Sequence, residues 1–156
     1  MDFAFIVLTI AATLTPLRDP IFGTEAGLNF GRDLLWSNRY GSFDRFERAA
    51  FLVDRGNGVL ECIAWPLSNE RERATFRGTM PPGTIAIIHT HPFNVPWPSE
   101  KDESEAHRLG IPIYALTPLA VTKAVPEEPG PLLVHKGPWL DPHTDGYRCK
   151  RSNERN

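Results

Sequence analysis

The chain is short of cysteine, of net charge and of long apolar runs, and each shortage removes a class of protein. Two cysteines, Cys62 and Cys149, stand among 156 residues. That is too few for a disulfide-dense scaffold or a four-thiolate zinc site. No Cys-x-x-Cys pair supports a thiol redox centre. The two read as separate thiols, one on a half-buried strand and one in the tail, with a single bridge as the alternative. Lys and Arg total 17 against 19 Asp and Glu, a formal charge of −2. Such balance argues against electrostatic binding to nucleic acid or to an anionic lipid surface. The apolar run Phe3 to Leu14 falls short of the ~20 residues a membrane-spanning helix needs. It has the length of the hydrophobic part of an export signal. However, Asp2 is the only charge ahead of it, and no clear small-x-small cleavage site follows. We read it as a buried first strand or helix of a cytoplasmic protein, with an export or anchoring segment as the alternative. Residues 1–20 thus form an apolar N-terminal segment, 21–140 the domain and 141–156 a polar, frayed tail. There is no internal repeat and no low-complexity block.

Proline is what the chain has in excess: 15 residues, roughly twice the usual ~5%, so turns and short elements are expected. Leu28, Phe30, Leu34, Leu35 and Trp36 recur at helical spacing, which predicts a helix over 24–40. Glu47 to Val53 and Val59 to Trp65 flank Asp54-Arg55-Gly56-Asn57-Gly58, and this turn chemistry predicts a β-hairpin. Ala74 to Thr79 is a further candidate strand. Thr84 to Thr90 is β-branched and apolar, as a buried strand is. After the proline-rich loop 92–98, Ser99 to Leu109 reads as a surface helix closed by Gly110. Ile111 to Leu116, Leu119 to Val125 and Leu132 to His135 read as strands. The order gives an α/β fold: a single domain with one mixed β-sheet flanked by helices.

Chemistry concentrates in Ile87-Ile88-His89-Thr90-His91-Pro92 and Ser99-Glu100-Lys101-Asp102. On a strand, residues two apart share a face, so His89 and His91 project side by side. They sit where the strand gives way to a loop, and neutral imidazole is a favoured zinc ligand. A catalytic zinc site needs a third protein ligand and an open position for water. Asp102, in the first turn of the next helix, supplies the carboxylate. Each piece also has a plainer reading. His-x-His can be two satisfied polar residues, and Ser99-x-x-Asp102 can be an N-cap with its acidic partner.

The order His89-x-His91, seven residues, Ser99, two residues, Asp102 resembles the signature of the JAMM/MPN+ (JAB-type) zinc metalloproteases. Pro92, directly after the second histidine, and Pro98, directly before the serine, also resemble that family. The resemblance spans Glu47 to Val125, about half of the chain. It implies the JAMM/MPN architecture, related to that of cytidine deaminases, and a Zn2+ ion held by His89, His91 and Asp102. It implies Glu47, at the start of an apolar strand after a helix, as general base, with Glu61 as competitor. Ser99 becomes the donor that stabilises the oxyanion. The implied activity is hydrolysis of a peptide or isopeptide bond in a peptide or ubiquitin-like protein substrate. No nucleic acid is implied, and no membrane except through the N-terminal segment. The loop carrying Phe93, Val95 and Trp97 beside the metal suggests a groove for an extended peptide tail with small residues at its end. A non-catalytic scaffold of the same fold, or a peptide-binding module, is the alternative. A zinc deaminase would need His-x-Glu and Pro-Cys-x-x-Cys, and other zinc proteases His-Glu-x-x-His; neither motif occurs. His107, His135 and His143 match no part of the signature.

Overall fold

Thr24 opens the first helix. Its hydroxyl accepts the Gly27 N–H at 3.1 Å, satisfying a first-turn donor as an N-cap does. The helix, α1 (Glu25–Ser37), buries Phe30, Leu34 and Leu35 on one stripe. In this computed structural model the described residues are 18–37, 47–56, 58–67, 74–91, 95–137, 139 and 147–151. The predicted extension of α1 to residue 40, the N-terminal run, Phe93 and His143 lie outside them.

The predicted hairpin forms as β1 (Ala49–Asp54) and β2 (Leu60–Ala64), with Leu52 opposite Cys62. The strand β3 (Thr84–Thr90) has the bounds its β-branched run predicts. Helix α2 (Glu100–Leu109) starts at the Ser99 cap and ends at Gly110, whose φ of 69° is the left-handed conformation glycine adopts freely. Then come β4 (Ile113–Thr117), β5 (Ala120–Val125), β6 (Glu128–Lys136) and β7 (Lys150–Arg151). The strands form one mixed sheet in the order β6-β5-β4-β3-β1-β2-β7. The β3–β4 pair is parallel, and α2 makes the crossover that a parallel pair requires.

Alternation along the strands divides the core into two faces. On one, Ala50, Leu52, Ala86, Ile88, Tyr114, Leu116 and Val121 pack against the Phe30, Leu34 and Leu35 stripe of α1. On the other, Phe51, Val53, Ile87, Ile113 and Ala124 pack against Ala106 of α2. The period of two therefore decides the site: His89 follows Ile87 onto the α2 face, and residue 47 precedes Ala49 and Phe51 onto the same face.

Asp19 anchors the entry to the domain. Its carboxylate accepts the backbone N–H groups of Ile21 and Phe22, the Tyr114 hydroxyl and the Lys123 ammonium. Burial, with Asp19 beside it, pushes the Tyr114 phenol well above its ordinary range.

Four expectations need correction. Residues 74–79 form no strand; they run as an irregular segment along a cavity on the α2 face. The two cysteines are not free thiols: Cys62 and Cys149 form a disulfide across 87 residues of sequence. The stretch around Cys149 is accordingly not frayed. Tyr147 packs edge-on against Phe30, and β7 extends the sheet in parallel beside β2. β6 is also longer than its predicted core 132–135 and takes in His135.

Candidate metal centre

The site lies where β3 ends, between the start of β1 and the first turn of α2. Two bonds fasten residues 47–48 to β3. The Thr90 N–H donates to the Arg48 carbonyl at 2.8 Å, and the Arg48 N–H donates to the Thr90 hydroxyl at 3.0 Å. With Ala49 opposite His89 in the register, the Glu47 carboxylate reaches the His89 ring, where Oε1 accepts from Nδ1 at 2.8 Å. His91 is one residue beyond β3, yet its N–H still donates to the Leu116 carbonyl of β4 at 3.0 Å. Its Nδ1 donates to the Val95 carbonyl at 2.8 Å. The Thr122 hydroxyl donates to the Pro96 carbonyl and ties the same loop to β5.

Those two Nδ1 bonds fix the chemistry of both rings. A neutral imidazole that donates from Nδ1 presents a bare lone pair at Nε2. Both Nε2 atoms face Asp102: His89 Nε2 is 3.5 Å from Oδ1, and His91 Nε2 is 3.9 Å from Oδ2. One ligand atom from each of the three residues lies within 4.8 Å of the others. Donors around a tetrahedral zinc, with bonds of ~2.0–2.2 Å, sit roughly 3.3–3.6 Å apart, so small movements of the side chains bring all three onto one ion. His89 Nε2 is the telling atom. It is buried and has no hydrogen-bond partner, a state that buried polar atoms rarely occupy and that a bound cation resolves. Among the described residues this is the one such group of histidine, cysteine and carboxylate ligands.

Asp102 is held for the task. Its Oδ2 accepts both the Ser99 backbone N–H and the Ser99 hydroxyl at 2.7 Å, while its own N–H donates to the Ser99 hydroxyl at 3.2 Å. The capping box and the ligand arrangement are thus the same structure: the cap aims Oδ1 at His89. Ser99 spends its hydroxyl proton on Asp102 here.

Charge follows from this packing. Burial disfavours a proton on His89, but the hydrogen bond to Glu47 and the fields of Asp102 and Glu47 outweigh it and hold its pKa above the ordinary 6.5. Burial and the neighbouring His89 charge push His91 below 6.5, against the Val95 carbonyl and the two carboxylates. Burial works to raise Asp102, yet the His89 charge, the Ser99 hydrogen bonds and His91 together keep it below 3.8. Two carboxylates around two imidazoles thus favour positive charge between them, which a protonated His89 or a bound cation can supply.

Glu47, Ser99, His89, His91 and Asp102 therefore all line one cavity of about 730 Å³. Glu61, the competing base, does not line that cavity. It is engaged by Arg55 and by Lys150 at 2.7 Å, which hold its carboxyl below the usual carboxylate range. His107 is an exposed residue of α2 whose Nδ1 lies 3.3 Å from the Pro126 carbonyl. Sequence reasoning missed the aromatic floor of the cavity, Phe51, Trp65 and Phe76, whose rings pack 4.8–5.5 Å apart. Only the alternation that puts Phe51 on the face of His89 hinted at it. No family model, no curated protein and no solved structure matches this chain.

Proposed function

We propose that the chain is a zinc-dependent hydrolase of peptide or isopeptide bonds, of the JAMM/MPN+ kind. The convergence of His89, His91 and Asp102 around the unpartnered Nε2 of His89 carries this reading. Two imidazoles with one carboxylate favour zinc over the oxygen-seeking magnesium or calcium. Three protein ligands are the catalytic pattern, as opposed to the four of a closed structural site. A zinc ion held there supplies Lewis acidity and lowers the pKa of a water from 15.7 toward ~7.

The remaining work belongs to the chain. The Glu47 side chain is 15% exposed and lines the cavity. One of its oxygens holds His89, and the other is its means of taking a proton from the attacking water. The water oxygen adds to the carbonyl carbon, forming the C–O bond and the tetrahedral oxyanion; the amide C–N bond breaks when that adduct collapses, as Glu47 returns the proton to the leaving amine. The products are a carboxylate and an amine. Such a shuttle contributes ~10²–10⁴ in rate. Ser99 serves the developing oxyanion by turning its hydroxyl away from Asp102; one such donor is worth ~10²–10³. Val95 and Trp97, 53% and 48% exposed at the cavity rim, offer apolar surface to an extended peptide. The substrate is accordingly a peptide, or a ubiquitin-like protein with a peptide tail.

A cleavage screen of short peptides and ubiquitin-like fusions tests this. The zinc-loaded protein should cut a member of the panel, a chelator should abolish cleavage, and His89→Ala or Asp102→Ala should be inactive. Undiminished cleavage in chelator, or by both variants, would refute it.

A further inference from the structure

We infer that the cavity beside the metal centre is a specificity pocket for a bulky apolar, preferentially aromatic, side chain next to the scissile bond. The inference rests on the hydrolase reading and deepens it by naming the substrate class.

The cavity runs from the ligand cluster along the α2 face, where Phe51, Trp65 and Phe76 pack against one another beside Met80 and Ile87. The Phe51 and Phe76 rings meet edge to face at 4.8 Å, and Trp65 lies tilted to both at 5.2 and 5.5 Å. The half-buried Trp65 and Phe76 present apolar ring surface of the kind against which a further aromatic group packs. Its volume of about 730 Å³ falls in the range of ~300–1,000 Å³ typical of built ligand sites. A glycine tail would leave that apolar surface uncovered. Phe51 and Ile87, 3% and 5% exposed, back that wall with core. The same cavity is lined by His89, His91 and Asp102, so the wall and the ligand cluster border one space.

The test uses the full chain and capped octapeptides identical except for Phe, Leu, Ala or Gly beside one fixed bond. Zinc-loaded protein reports kcat/KM. Chelated protein reports binding of the same peptides by calorimetry, which needs no turnover. The expected preference for Phe over Gly is about tenfold or more in both readouts. Phe76→Ala should cut that preference to about threefold or less. Ala74→Phe, which adds bulk to the cavity lining without touching the fully buried core, should do the same if Phe76→Ala fails to fold. Cleavage with equal kcat/KM for Phe and Gly peptides would overturn the pocket assignment and leave the hydrolase reading intact. So would a preference that survives both variants, or equal binding of Phe and Gly peptides. Selective binding of the Phe peptide with no cleavage of any peptide would support the pocket and count against the hydrolase.

Discussion

Replacing Glu47 with glutamine separates the two roles proposed for it, because glutamine keeps one and loses the other. Oε1 of Glu47 accepts from His89 Nδ1 at 2.8 Å, and the His89 side chain is only 4% exposed. A glutamine oxygen can accept the same bond and keep Nε2 of His89 facing the ligand cluster, but it carries no charge. A hydrogen bond to a charged group is worth ~1.5–3 kcal/mol and a neutral one ~0.5–1.5, so the difference is about 1–1.5 kcal/mol, or about tenfold in zinc affinity. Alanine removes the bond altogether and should weaken zinc by ~10–100-fold, the usual cost of losing such an outer partner. Neither variant can carry a proton, so kcat at saturating zinc should fall by ~10²–10⁴ in both. Competition with a chromophoric chelator gives the affinities, and a peptide substrate at saturating zinc gives the rates. If Glu47→Gln turns over like the parent protein, Glu47 only positions His89 and the base lies elsewhere. If Glu47→Ala binds zinc as tightly as the parent, the 2.8 Å contact does not act on the metal site.

Two further outcomes follow from the same geometry. In chelated protein the raised pKa of His89 contributes stability that is fully present below 6.5 and is lost as pH rises through the folded-state value. Zinc must displace that proton, so its affinity rises with pH over the same interval. Melting temperatures of chelated protein should therefore fall as pH rises above 6.5 while zinc affinity increases; a chelated protein that grows steadily more stable over this interval contradicts the His89 environment. The Cys62–Cys149 disulfide closes 87 residues of chain, worth about 4–5 kcal/mol by loop-closure entropy. Cys149→Ala should lower the urea midpoint accordingly, and two titratable thiols in the unreduced, unfolded chain would disprove the bridge.

The legible parts of this fold are those with a local signal. β3 matches its prediction because an uninterrupted β-branched run between a Pro-Pro-Gly turn and a proline loop has few other options. Helix α2 was readable from its cap, since Ser99 and Asp102 satisfy each other within one turn. The same spacing marks the candidate metal ligands. What escaped was non-local. Nothing in the spacing of Cys62 and Cys149 announces a bond; the α1 packing of Tyr147 and the pairing of β7 with β2 bring them together. β6 was underestimated because Pro129 and Pro131 argue against a strand, but β6 is a sheet edge, where missing N–H groups cost no ladder bond. Residues 74–79 have strand-like composition at Ala74 to Phe76, yet Phe76 packs onto Phe51 and Trp65 and takes the segment into the cavity wall instead of a ladder. Likewise, sequence could nominate Glu47 as a base, but its bond to His89 Nδ1 is visible only once β1 and β3 are in register.

The most direct test is the metal content of the protein. Elemental analysis after zinc loading and desalting should give about one zinc per chain, the stoichiometry of one three-ligand site. It should give close to none for His89→Ala and Asp102→Ala, with both variants still folded by circular dichroism. A parent protein that retains no zinc, or variants that retain it in full, would contradict the convergence of His89, His91 and Asp102 on a single ion.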